Sequence, residues 1–177
     1  FGLILLFRSR PSDMGIRAYG APESEPISEK LDSALEKIRS KAFRTSMQST
    51  SAFWKLVSVH YLGCLGHSIV IIYVIPIAVI AGVDLVSAAG ILSTLMAVSI
   101  LTRFATPIIA DQLGAKWSMA IMFILQGLPV LMLFWAQELW QFYVFAVIFG
   151  IGYGGEGSAF PIINRQYFGR GPMGRSF

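Results

Sequence analysis

The chain has 177 residues, of which 55% are hydrophobic and only 14% charged, and its mean hydropathy of +0.64 lies well above that of an ordinary soluble domain. Fourteen basic residues against ten acidic ones give a net charge of +4. The single cysteine, Cys64, excludes a disulfide framework and any multi-cysteine metal site.

Phe1 to Phe7 is an apolar run that passes straight into Arg8-Ser9-Arg10, with no basic flank before it and no small-residue cleavage site. Residues 1–7 are therefore expected to be the end of a membrane helix and not a signal peptide. With the Gly/Arg-rich stretch at the other terminus, the chain reads as a piece of a longer protein. Residues 8–55 form a polar linker that opens Pro/Gly-rich and then turns helical. Ser28 is placed to cap a helix running to about Phe43, with Leu31, Leu35, Ile38 and Ala42 on one face and charges elsewhere. Such a helix is expected to lie on the membrane surface.

Four apolar runs then reach the ~20 residues needed to cross the hydrocarbon layer: 56–81, 85–109, 117–136 and 139–163. Lipid offers backbone groups no hydrogen-bond partner, so runs of this length must be helices, with Pro76, Pro107, Pro129 and Pro161 marking kinks or ends. Gly82-Val83-Asp84 joins the first pair and Gln137-Glu138 the second, which makes two tight helical hairpins. Asp84 is positioned as an N-cap. Neither corner carries Lys or Arg; all the basic residues fall on the other side. By the positive-inside rule that side is cytoplasmic, including the linker and the loop at 165–177. The excess charge is thus absorbed by topology, and no nucleic-acid partner is expected. Trp54, Trp117, Trp135 and Trp140 fall near span ends, as an aromatic belt requires. The fold class is an all-α polytopic membrane helical bundle, with residues 56–164 supplying four full transmembrane helices.

Three segments carry a family pattern. Arg8-Ser9-Arg10-Pro11-Ser12-Asp13-Met14-Gly15 is followed by a long linker and by Phe53-Trp54 at the start of the next helix. The stretch from Arg103 through Pro107 to Asp111-Gln112-Leu113-Gly114-Ala115-Lys116 contains an Asp-x-x-Gly-x-Lys turn. Gly150-Ile151-Gly152-Tyr153-Gly154-Gly155 is followed by Pro161 and Tyr167-Phe168-Gly169. These resemble the major facilitator superfamily, and within it the branch containing oxalate/formate antiporters and monocarboxylate transporters. The resemblance covers nearly the whole chain, from the end of helix six to helix ten of a twelve-helix protein. It implies a partial major facilitator fold in a multi-pass protein of the bacterial inner membrane, packed against the remaining helices of the full-length protein and surrounded by the lipid bilayer. The implied function is secondary active transport of small organic anions, oxalate or monocarboxylates, by alternating access. Drug or metabolite efflux, or a sensor that no longer transports, is the alternative.

Arg103 lies eight residues before Asp111, roughly 12 Å inside the helix end. A guanidinium at that depth needs water or an anion. In the resembling branch the arginine at the matching place is implicated in holding the substrate carboxylate. That branch commonly has an acidic residue four positions earlier; here it is Ser99, on the same helical face, and Phe104 stands where proline often follows the arginine. Arg103, His67 and Ser99 are the expected substrate-binding residues. Glu156, the only carboxylate deep in a span, is the candidate for proton coupling. His60 and His67 share a face of the first span, His60 near the interface and His67 near mid-membrane. No further ligand set accompanies them in sequence, so neither a metal nor a cofactor is expected. Cys64, in an apolar run, reads as inert. Asp111, Gly114 and Lys116 are assigned by the resemblance to a gating loop. With no Walker-type loop, His-Glu-x-x-His or nucleophile elbow, the chain is not expected to be an enzyme.

Overall fold

A computed structural model describes residues 33–169 as helices joined by short turns. The expected helix end at 1–7, the segment from Arg8 to Gly20, the Ser28 cap with Leu31, and the stretch 170–177 lie outside the described residues. The elements are α1 (Ser33–Gln48), α2 (Ser51–Ile80), α3 (Leu85–Leu113), α4 (Ala115–Val130) and α5 (Leu139–Phe168). Four helices, α4 counted together with the turn that extends it to Phe134, are long and apolar enough to cross a membrane. They lie where the apolar runs placed them, each of α2, α3 and α5 extending further toward the linker side than the apolar residues alone indicate.

Three local features explain the boundaries. Thr50 caps α2 by accepting from the Phe53 N–H at 3.3 Å, and the Trp54 indole reaches back to the Gln48 carbonyl at 2.9 Å, so α1 and α2 break sharply at Ser49-Thr50. Asp84 caps α3, its Oδ1 accepting from the Val86 and Ser87 N–H groups at 3.0 Å. Hydrogen bonds from Ser87, side chain and backbone, hold the Asp84 carboxyl below the usual carboxylate range. At the second corner, the Gln141 amide oxygen accepts from the Gln137 and Glu138 N–H groups, completing a capping box for α5.

One expectation is corrected, the far end of the linker helix. The linker helix, described from Ser33, continues past Phe43 to Gln48, because Thr45 and Ser46 do not stop it and the chain turns only at Ser49-Thr50. Its apolar face stays open to solvent among the described residues, with Leu35 55% and Ile38 65% exposed. In the third span Pro129 marks the end of the α-helix, as expected. Past Pro129 the backbone tightens into a 3-10 turn over Leu131–Phe134, as a residue without an N–H favours near a helix end. The other prolines, Pro76, Pro107 and Pro161, lie inside helices.

α2 to α5 run antiparallel in sequence order, so the bundle has two ends. One carries α1, the start of α2, the α3–α4 turn and the end of α5. The other carries the two corners. Lys55, Lys116 and Arg165 stand at the first end, and exposed tryptophans mark both: Trp54 and Trp117 at one, Trp135 and Trp140 at the other. α5 is the most buried of the four spans and packs chiefly on α3 and α4. Between helices in lipid there is little hydrophobic gain, so close approach of small residues does the work. Near the corners the core is aromatic and aliphatic, built from Val74, Ile91, Leu95, Phe142, Phe145 and Phe149. Near the other end, Leu56, Met119, Ala159 and Ile163 form a second cluster.

A buried carboxylate between α2, α4 and α5

The middle of α5 reads Gly150-Ile151-Gly152-Tyr153-Gly154-Gly155-Glu156-Gly157, five glycines in eight residues, so parts of its surface are bare backbone. Its neighbours come close on two sides. A Cβ on Gly150 or Gly154 would meet the backbone carbonyls of Leu95 and Ser99 on α3, whereas one on Gly152 or Gly155 would meet Met122 or Gln126 on α4. This approach draws Glu156 inside, where its side chain is only 2% exposed.

Glu156 is held by partners from two other helices. The Gln126 amide donates to Oε2 at 2.8 Å and to the Gly152 carbonyl at 3.1 Å. His67 places Nδ1 3.2 Å from the same Oε2, where an imidazole N–H donates. The other oxygen, Oε1, is buried with no hydrogen-bond partner among the described residues and lies 3.9 Å from His60 Nδ1. Gly63 makes room for it, since a Cβ there would come within 2.6 Å of Oε1. His60 is stacked on Phe160 with ring centroids 3.9 Å apart, and His67 meets the edge of Tyr153 at 4.9 Å. Cys64 Sγ sits 3.9 Å from His60 Nδ1.

Arg103 is exposed on α3, with its guanidinium carbon 5.8 Å from the centre of the Tyr153 ring and the flat surface of Gly157 beside it. Among the described residues no carboxylate lies within ion-pairing distance of it. Tyr153 thus touches both Arg103 and His67, the partner of Glu156. Ser99, one turn before Arg103, is 2% exposed and donates its hydroxyl to the Met96 carbonyl of its own helix. The two share a stripe of α3, but Ser99 falls where Gly154 presses closest, so its short side chain stays beneath α5. Gly114 joins α3 directly to α4 in a one-residue turn, at φ 83° and ψ 145°, a conformation that favours glycine. Asp111 and Lys116 flank it, both exposed.

The fold therefore gathers His67 and Glu156, sets Arg103 one aromatic ring away, and leaves Ser99 and the Asp111–Lys116 turn apart. It also draws in His60 and Cys64, and with them Gln126, which the sequence did not single out. The His60 ring comes within 3.9 Å of Glu156 Oε1, and Cys64 lies beside it. Gln126 had one signal, being the lone side-chain amide of α4 and set in an apolar run. Gln126→Leu is expected to destabilise the protein by about 1–3 kcal/mol, because a buried carboxylate loses a donor and the Gly152 carbonyl loses its side-chain partner. Thermal unfolding of the detergent-solubilised protein measures this, and an unchanged midpoint would show that the bond is dispensable.

A second feature is a cavity of about 580 Å³ between α2 and α4, lined mostly by apolar groups such as Val59, Leu62, Phe123 and Val130, with His67 and Gln126 at its polar edge. Compared with protein families, residues 1–177 match the family described as Major Facilitator Superfamily. Comparison with curated proteins finds no match, and neither does comparison with solved structures.

Proposed function

Since the chain belongs to the major facilitator superfamily of membrane transporters, we propose that it forms part of a secondary active transporter of small organic anions, carboxylates in particular, working by alternating access. The carrying observation is Arg103: a guanidinium within an apolar span, exposed, without a described carboxylate beside it, and backed by an aromatic face. Its planar fork matches a carboxylate bidentately, and a low-dielectric surround strengthens that pairing. Tyr153 supports the guanidinium from behind, which leaves the fork free for the substrate. In this reading the Asp111–Gly114–Lys116 turn lies on the cytoplasmic side with the linker. It serves as a hinge in gating, its one-residue connection coupling α3 and α4 as a unit.

A second reading, export of amphipathic compounds, is favoured by the apolar cavity between α2 and α4, which does not include Arg103. A counterflow panel in proteoliposomes of the full-length protein separates the two. The expected result is saturable exchange of small mono- and dicarboxylates that free carboxylates inhibit and amphipathic cations do not. Exchange of the amphipathic compounds alone would favour the second reading and reject the first.

A further inference from the structure

We propose that His60, Cys64 and Glu156 form a binding site for a borderline-soft divalent cation such as Zn²⁺, shared between α2 and α5. The inference is independent of which substrate the transporter moves.

Four observations carry it. First, one donor atom from each residue falls within 4.8 Å of the other two. His60 Nδ1 is 3.9 Å from Cys64 Sγ and 3.9 Å from Glu156 Oε1. Bonds of ~2.0–2.3 Å to a tetrahedral zinc place ligands roughly 3.3–3.8 Å apart, so small side-chain shifts close the set. Second, Glu156 Oε1 is a buried acceptor with nothing to accept from among the described residues, a costly state that a cation relieves. Third, the other half of the carboxylate is anchored. Gln126 and His67 both bond to Oε2, the outer-shell arrangement that orients a ligating carboxylate and leaves its second oxygen for the metal. Fourth, the approach is prepared on α2, where Gly63 leaves space against Oε1 and stacking on Phe160 fixes the plane of the His60 ring.

The donor set selects the ion. One thiolate, one imidazole and one carboxylate suit Zn²⁺ or Co²⁺, whereas Mg²⁺ and Ca²⁺ take oxygen ligands in larger number. With three protein ligands and His60 40% exposed on its side chain, a fourth position stays open to water. The spacing on α2 supplies two of the three ligands from one face, as residues four apart do. The third crosses from α5, so a bound ion would staple α2, the least buried span, to the most buried one.

The test uses the full-length protein in detergent, with labelling of Cys64 by a maleimide followed by mass spectrometry. Zn²⁺ at micromolar concentration is expected to slow that labelling at least tenfold, and Mg²⁺ to leave it unchanged. Co²⁺ is expected to bring up a thiolate-to-metal charge-transfer absorption that Cys64→Ser abolishes. His60→Ala and Glu156→Gln should each remove the protection by Zn²⁺. Because Glu156→Gln disturbs a buried network, the half-exposed His60→Ala variant, checked for an unchanged unfolding midpoint without metal, carries the decision. Labelling that proceeds equally with and without Zn²⁺ overturns the site, as does protection that survives His60→Ala. Neither readout involves transport, so the site and the carboxylate reading stand or fall separately.

Discussion

Arg103→Ala in the full-length protein is expected to abolish carboxylate counterflow, lowering the exchange rate at limiting substrate by roughly a hundredfold or more. Removing one partner of a desolvated, hydrogen-bonded charge pair costs about 2–5 kcal/mol, and each 1.4 kcal/mol is about tenfold. The same change should alter folding little, because Arg103 is exposed, its side chain lying beside Tyr153 and Gly157. Arg103→Lys separates charge from geometry: it keeps the cation but loses the fork, so exchange should recover in part and with a weaker apparent affinity. Labelled oxalate or lactate exchange in proteoliposomes, normalised to reconstituted protein, is the measurement. If the alanine variant exchanged at the parent rate, the guanidinium would be a side chain reaching for the membrane surface and the anion site would lie elsewhere.

The contrast between Arg103 and Ser99 marks how far the sequence can be read. The four spans follow from apolar runs bounded by Gly82-Val83-Asp84, Gly114 and Gln137-Glu138, because length against membrane thickness is a one-dimensional property of the chain. The Asp84 cap and the depth of Arg103 are equally local. Helical spacing also places Ser99 and Arg103 on one stripe, but which part of a stripe is covered depends on a neighbouring helix more than fifty residues away, and that is not written in α3. The Glu156 network fails to appear in sequence for the same reason. Its partners are 30 residues away in Gln126 and 89 away in His67, and only the packing of α5 against α2 and α4 makes them neighbours. Cys64 and the two histidines look unaccompanied in α2 because the carboxylate they lie near belongs to α5.

The glycines of α5 are what create that neighbourhood, and their two faces should respond differently to the same added methyl. In an isolated helix, Gly→Ala is favourable by about 1 kcal/mol. At Gly154 the new Cβ would collide with the carbonyl, carbonyl carbon and Cα of Ser99, all backbone atoms of α3 that cannot turn aside. Overpacking of this kind costs about 1–3 kcal/mol and occasionally more, and with a backbone obstacle it should exceed the gain in propensity. Gly154→Ala is therefore expected to lower the unfolding midpoint clearly, and Gly154→Leu to prevent recovery of monodisperse protein. At Gly155 the obstacle is the side chain of Met122, whose three rotatable bonds let the sulfur move away. Gly155→Ala should be the milder change. Gly127→Ala, with nothing within 4 Å of the added carbon, should be neutral or slightly stabilising. Thermal unfolding of the three alanine variants in one detergent gives the order directly. Should Gly154→Ala prove as harmless as Gly127→Ala, α3 and α5 are not in backbone contact at Ser99, and the burial of Glu156 would need a different cause.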